Sequence, residues 1–280
     1  MMNYKLIAID LDGTLLNDDK KITQDNIEIL RELNKRGIEI VIATGRRYWS
    51  AKQLTKVLGL DLVIIANNGN IIRDITDDKL MVTKYLDEDA FRKLIEIGKS
   101  RGFHPIIHVD HYDEGYDIVT EFKKEDDRYC SYLSKIEDRY RVISDLSKYE
   151  NPKAVVTCYV GEYDELEQFQ KEVLAKSPYN YNTHIMRKTK IGSILEFMNP
   201  LGSKWLSLKE YAESKGISPD RIIAIGDDNN DIEMIQNAGL GIGMKNGTKE
   251  VKKAADIITE KTNNESGVAH ILKKIFMNLV

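Results

Sequence analysis

Two cysteines in 280 residues leave no disulfide framework, and Cys130 and Cys158 lack the spacing of a metal site. They read as reduced, part-buried residues of a cytoplasmic protein. No apolar run approaches the roughly 20 residues of a membrane span. The first apolar run is short and leads straight into Asp10 and Asp12, unlike a signal peptide. A long basic stretch is missing and the net charge is −4, so neither nucleic acid nor a membrane is an expected partner. Repeats and low-complexity tracts are missing as well. What is there is a core-forming composition, 42% hydrophobic and 31% charged, over a length that suits one large domain or two ordinary ones.

The chain is organised around Leu6-Ile7-Ala8-Ile9-Asp10-Leu11-Asp12-Gly13-Thr14. Its apolar run reads as a strand covered on both faces. The run stops at two carboxylates flanking one leucine, then a glycine that lets the backbone turn. Residues two apart on an extended chain point the same way, so Asp10 and Asp12 are expected to face one space. Like charges about 4 Å apart repel by roughly 4 kcal/mol at an effective dielectric of ~20. A cation, a shared proton or separation by water must offset that. A solvated turn is the plain alternative, since Asp and Gly are ordinary turn residues.

Further along, a helix is expected over 23–36, with Thr23 as N-cap, Ile22 and Ile27 as the staple and Gly37 as the stop. Strands are expected at 38–43 and 62–66, with a helix at 49–58 between them. The polar ends Thr44-Gly45-Arg46 and Asn67-Asn68-Gly69-Asn70 follow those strands. Three strand-to-helix units in seventy residues predict a doubly wound parallel sheet of α/β class, with ligands beyond the carboxyl ends of the strands. From about residue 85 to 198 the chain turns more polar and carries most of the tyrosines. Strands at 106–109, 117–120, 154–160 and 193–198 and helices at 87–100, 125–133 and 163–175 make this an inserted α+β unit. The core domain is then 1–84 with 199–280, and the insert 85–198. Asn199-Pro200-Leu201-Gly202 serves as the return linker. After it, Ser203 is expected to cap a helix carrying Lys204. A strand at 221–225 runs into Gly226-Asp227-Asp228-Asn229-Asn230-Asp231, and Asp231 is expected to open the next helix. Short strands at 240–244 and 256–259 and a last helix at 267–278 complete the pattern.

Asp10, Asp12, Asp227, Asp228 and Asp231 thus collect at the ends of two buried strands. If those strands are neighbours, the cluster is a hard, oxygen-rich site that suits Mg²⁺ with substrate phosphate completing its shell. Thr44 offers a hydroxyl and Lys204 a mobile positive charge near a helix N-terminus, which is what a phosphoryl group needs.

Asp10-Leu11-Asp12-Gly13-Thr14, Thr44-Gly45-Arg46, Lys204 and Gly226-Asp227-Asp228-Asn229-Asn230-Asp231 together resemble the four motifs of the haloacid dehalogenase superfamily, in its order. The position of the insert, the Asn68-Gly69 pair and Glu265-Ser266-Gly267-Val268-Ala269 resemble the Cof-type phosphatases with a type IIB cap. The resemblance covers essentially the whole chain and implies a Rossmann-like core under an inserted α+β cap. It implies that Asp10 is the nucleophile and Asp12 the acid and base. Thr44 and Lys204 would hold the phosphoryl oxygens, and Gly45, Arg46, Asn68 and Asn230 would contact substrate, with loop bracing as the plain reading of Arg46 and Asn68 and a helix N-terminal contact as that of Asn230. Mg²⁺ would be held by Asp10, Asp12 (through its backbone carbonyl), Asp227 and Asp231, the last directly or through water. Asp228 matches a variable position and is expected to be merely solvated. Asn70 departs from the small alanine expected there.

The implied activity is hydrolysis of a small phosphorylated metabolite, such as a sugar phosphate, by a cytoplasmic monomer or homodimer. A phosphomutase of the same superfamily and a non-catalytic phosphometabolite-binding regulator are the alternatives. Within the insert, His104, His108, His184, Arg187, Lys188 and Lys190 are candidate specificity groups, with the surface as their plain reading. Residues 110–117, acidic and tyrosine-bearing, could line the pocket but read first as a solvated turn, and His270 reads as structural.

Overall fold

The computed structural model describes residues 4–122, 139–189 and 192–277. The chain runs β1 (Leu6–Ile9), α1 (Gln24–Lys35), β2 (Glu39–Ala43), α2 (Tyr48–Thr55), β3 (Val63–Ala66), β4 (Ile71–Asp74) and β5 (Leu80–Thr83). It continues with α3 (Glu88–Ser100), β6 (Ile106–His111), β7 (Tyr116–Thr120), β8 (Tyr140–Val142), β9 (Ala154–Gly161), α4 (Tyr163–Lys176), β10 (Asn182–Thr189) and β11 (Gly192–Met198). Then come α5 (Lys204–Ser214), β12 (Ile222–Gly226), α6 (Ile232–Asn237), β13 (Leu240–Gly243), α7 (Lys249–Ala254), β14 (Ile257–Ile258) and α8 (Gly267–Met277). Two compact units result, one from Met1–Thr83 with Ser203–Val280, the other from Lys84–Gly202.

In the first unit the strands order as β14-β13-β12-β1-β2-β3-β4-β5 among the described residues. From β14 to β3 the pairings are parallel, as continuous apolar runs joined by helices require. β4 and β5 are not foreseen by the strand-to-helix pattern; they extend the sheet as an antiparallel hairpin. β5 is a short edge strand, and the two apolar residues of β4, Ile71 and Ile72, are too short a run to announce a strand.

Side chains of β1 alternate between faces. Leu6 and Ala8 join Val41, Ala43, Ile222 and Ala224 in a cluster closed by Trp205, Leu208 and Tyr211 of α5 and Met234 of α6. Each fully buried Leu or Ile there is worth roughly 1.5–3 kcal/mol. α1 packs on α8 and β2, and α2 on β3. Thr23 sits at the N-cap of α1 but makes no capping bond; its hydroxyl instead accepts from Ser266 Oγ at 2.9 Å. Ser203 does cap α5, accepting from the Leu206 N–H at 3.0 Å. The helix expected over 49–58 ends as α at Thr55 and tightens into a 3₁₀ turn over Lys56–Leu58, stopped by left-handed Gly59.

The second unit is a sheet ordered β10-β11-β9-β6-β7-β8. Phe91 and Leu94 of α3 and Leu166, Phe169 and Val173 of α4 close a core with Ile107, Tyr159, Leu195 and Phe197. β8 and β10 escape the sequence reading, the latter because Asn182-Thr183-His184 is polar. The stretch 110–117 is not a solvated turn throughout. Asp110 and Asp117 are buried, Asp110 accepting from the Tyr85 hydroxyl at 2.5 Å, and only a 3₁₀ turn over Tyr112–Glu114 lies between β6 and β7. The helix expected at 125–133, Cys130 and Lys190 lie outside the described residues, as do the side chains of Arg187 and Lys188.

Candidate active site

The sheet register brings the acidic motifs together. β1 lies between β12 and β2, with Ile9 level with both Ile225 and Ile42. The residue after each strand therefore emerges at one edge, and the Asp10 N–H is still bonded to the Ile225 carbonyl at 3.0 Å. Asp10, Asp227 and Asp231 each offer one oxygen within 4.8 Å of one another; they form such a group of potential metal ligands among the described residues.

Lys204, the first helical residue of α5, enters this cluster. Its Nζ donates to Asp10 Oδ1 at 2.7 Å and to Asp231 Oδ1 at 2.6 Å. The lysine is 2% exposed, Asp10 5% and Asp231 0%. Burial works against the ammonium, but the charges of Asp10 and Asp231 outweigh it and raise its pKa. One ammonium faces three carboxylates, so negative charge is left over. Burial, with the neighbouring Asp231 and Asp227, pushes Asp10 well above the usual carboxylate range against the pull of Lys204. Asp227 is pushed up to about 7, by burial first and by Asp231, although Thr14 Oγ1 donates to it at 2.6 Å. Buried hard oxygens with uncompensated charge are a donor set that a divalent cation would relieve.

Asp231 stands at the N-cap position of α6, as expected, but its side chain makes no capping bond there, and Asp228 is exposed, as expected, with a capping role of its own. Asp228 is the N-cap of the 3₁₀ turn over Asn229–Asp231, accepting from the Asn229 N–H at 2.8 Å, so it starts the helical segment while remaining exposed. Asp231 reaches back instead: its Oδ2 accepts from the N–H groups of Asp227 at 3.0 Å and Asp228 at 3.1 Å. With Oδ1 on Lys204, both its oxygens are engaged in shaping the loop.

Asp12 stands apart from that cluster, as its sequence spacing did not anticipate. Its carboxylate is clasped by Arg46, Nε to Oδ2 at 2.5 Å and Nη2 to Oδ1 at 2.8 Å, and by Lys20 Nζ at 2.7 Å. Partial burial opposes ionisation, yet these two cations hold the carboxyl down at about 2. Lys20 is the contact that sequence reasoning missed; a lone loop lysine carries no signal of it. Thr44, buried at the end of β2, accepts the Arg46 N–H at 3.1 Å, and Gly45 lies against Asn68. Asn230 Nδ2 donates to Asn68 Oδ1 at 2.9 Å, tying the loop after β12 to the loop after β3. Asn68 has a left-handed φ of 55°, which asparagine tolerates well.

In the second unit His108 is buried on β6 with its Nε2 3.9 Å from Cys158 Sγ, and His184 Nδ1 lies 3.7 Å from Glu196 Oε2. His104 is exposed. His270 sits on α8, 3.6 Å from Glu260.

Residues 7–272 match the model of the haloacid dehalogenase-like hydrolase family. The chain belongs to this family. It is 31% identical to YcsE and 30% to YitU, both 5-amino-6-(5-phospho-D-ribitylamino)uracil phosphatases of Bacillus subtilis. Alignment covers 97% of this chain in each case, with 96% and 97% of those proteins. A crystal structure of a haloacid dehalogenase-like hydrolase from Bacteroides thetaiotaomicron superposes with a TM-score of 0.83 at 30% identity, covering 98% of this chain and 100% of that one. The protein is thus a phosphatase enzyme of the haloacid dehalogenase-like class, of the Cof type. No helix among the described residues is long and apolar enough to cross a membrane.

Proposed function

We propose that the protein is a Mg²⁺-dependent phosphatase that hydrolyses a small phosphorylated metabolite through an aspartyl-phosphate on Asp10. The observation that carries this reading is the buried Asp10 carboxylate, gripped by Lys204 Nζ and grouped with Asp227 and Asp231. Such a group is costly to maintain for structure alone, because two buried carboxylates and a half-buried third have one ammonium among them.

Asp10 attacks the phosphorus in line with the departing oxygen, and the P–O bond to the leaving group breaks as the O–P bond to Asp10 forms. Lys204 aligns the attacking carboxylate and, with the Thr44 hydroxyl, meets the charge on the phosphoryl oxygens. Asp12 protonates the leaving oxygen and then takes a proton from the water that cleaves the aspartyl-phosphate. To do so Asp12 must first leave Arg46 and Lys20 and take up a proton, from solvent or from the incoming phosphomonoester, and that phosphate is the anion that competes for the guanidinium. Mg²⁺, held by Asp10 and Asp227 with the Asp12 carbonyl, would neutralise charge on the transferred group. Asp231 acts through the Lys204 ammonium and the Asp227 and Asp228 amides. Asn68 and Asn230, which bond each other, are proposed as contacts to substrate.

The residues from Lys84 to Gly202 are proposed as the cap that sets the choice of leaving group. The names of YcsE and YitU make a phosphorylated ribityl compound the first substrate to try, followed by sugar phosphates. A cytoplasmic location agrees with the sparse cysteines. The decisive test is Mg²⁺-dependent release of free phosphate by the wild type and not by Asp10→Asn across a panel of phosphomonoesters. An isomeric phosphate in place of free phosphate would make the enzyme a mutase, and phosphate release by Asp10→Asn at the wild-type rate would refute the mechanism.

A further inference from the structure

The loop that carries Asp12 and Thr14 is held by asparagine side chains from elsewhere in the chain. Asn246 Nδ2, from the loop between β13 and α7, donates to the Gly13 carbonyl at 2.7 Å. Asn26 Nδ2 of α1 donates to the Leu15 carbonyl at 3.3 Å, and Asn263 Nδ2, just before α8, to the Leu16 carbonyl at 3.0 Å. Two of these asparagines are buried, as expected of braces for loop backbone, but Asn246 is exposed. Its Oδ1 is fixed in turn by the Asn263 N–H at 3.0 Å, so the amide is oriented from both ends.

Gly13 is the residue where this matters. Its φ is +84°, and a Cβ there would lie 2.3 Å from Asp227 Oδ2. The backbone at Gly13 therefore passes directly against a carboxylate of the acidic group, and the next residue, Thr14, donates to that same carboxylate. A small rotation of the Gly13–Thr14 peptide would move Thr14 Oγ1, Asp227 and the Asp12 backbone together. Asn246 Nδ2 is the side-chain donor on that peptide's oxygen.

We propose that Asn246 is a positioning residue for phosphoryl transfer: by holding the Gly13 carbonyl it fixes the turn that seats Asp227 and the Asp12 backbone for a divalent cation. The inference rests on the phosphatase reading above, and it assigns a role to a residue outside the motifs that suggested that reading. An exposed asparagine without such a role should be replaceable with little effect.

The test uses the full-length protein as Asn246→Ala and Asn246→Asp, with Asn264→Ala as the control. Asn264 is exposed, and its side-chain amide bonds Asp18, away from the Gly13 carbonyl in sequence. Three readouts are taken: thermal melting, kcat and KM for p-nitrophenyl phosphate, and calorimetric binding of Mg²⁺ alone. Misplacing reacting groups by about 1 Å can cost on the order of 10²-fold, so kcat of Asn246→Ala should fall roughly 10- to 100-fold. KM should change less than about threefold, and Mg²⁺ affinity should weaken roughly tenfold. Asn246→Asp keeps the shape and removes the donor, so its kcat should fall at least as far as that of alanine. The control should match wild type.

Wild-type kcat and Mg²⁺ affinity in Asn246→Ala, or full kcat in Asn246→Asp, would overturn the proposal, as would a loss confined to melting temperature. Failure of the phosphatase reading would show separately, as a wild type without Asp10-dependent phosphate release. The Mg²⁺ titration then still decides the role of Asn246.

Discussion

Replacing Lys204 by methionine should expose how the acidic group is balanced. The change keeps most of the apolar stem and deletes the ammonium that bonds both Asp10 and Asp231. Both partners are almost wholly buried, and the side chain of Lys204 is 1% exposed. Breaking a buried pair by removing one partner typically costs about 3–5 kcal/mol, because the other charge stays behind. At roughly 2–4 °C per kcal/mol for a chain of this order of size, melting should drop by about 6–20 °C in chelator at pH 8.

The pH dependence of that deficit gives its cause away. The variant relieves its charge by taking up a proton where wild type keeps the ion pair. The deficit should therefore shrink as pH falls, by up to about 1.4 kcal/mol per pH unit for one proton. Urea melts of both proteins at pH 8, 7, 6 and 5 supply the curve. Phosphate release by the variant should fall on the order of 10²-fold or more. A deficit below about 1 kcal/mol, or one that does not change between pH 8 and 5, would refute the reasoning. It would mean that the acidic group is hydrated or paired in a way these distances exclude.

Other outcomes follow from the same geometry. Asp227 has its folded pKa raised from 3.8 to about 7, so its contribution favours the metal-free fold below pH 4 and is lost as pH rises through 7. Mg²⁺ binds the ionised form and should raise the melting temperature more at pH 8 than at pH 5.5, with proton release in calorimetry near pH 7; equal shifts at both pH values would contradict this. Asp12 has its folded pKa lowered to about 2, so its ion pairs stabilise the protein above the ordinary 3.8 and are lost as pH falls through 2. In Arg46→Met that carboxyl should titrate closer to its ordinary value, which NMR of the Asp12 side chain would report. Gly69→Ala puts a Cβ 2.0 Å from the Ser203 carbonyl oxygen at a φ of +96°, so melting should fall by several degrees, and an unchanged melt would show that the loop yields freely.

The central strands were legible because β1, β2, β3 and β12 are unbroken apolar runs ended by polar turns, a pattern that only a strand buried on both faces needs. The hairpin of β4 and β5 was not, since exposed Leu80 and Met81 alternate with nothing. Asp10, Asp227 and Asp231 could be expected to meet once their strands were taken as neighbours. Their division of labour could not be read in the same way. The resemblance already separated a solvated Asp228 from Asp231, but the bonds of Asp231 to Lys204 and to the Asp227 and Asp228 amides are set by backbone geometry that no motif records. Lys204 has the appearance of a solvent-facing helix lysine. Its burial comes from tertiary placement of α5 against the strand ends, which no local pattern records.

One close approach has a mechanical consequence. The polypeptide re-enters the first unit at Ser203, a single residue ahead of the lysine that holds Asp10. That junction is nailed down: Gly69 fits under the Ser203 carbonyl where no side chain would, and Ser207 Oγ fastens the Gly69 carbonyl at 2.5 Å. The first of these contacts lies one peptide ahead of the lysine that bonds Asp10. The seat of the lysine is thus set inside the first unit, by Gly69 and Ser207.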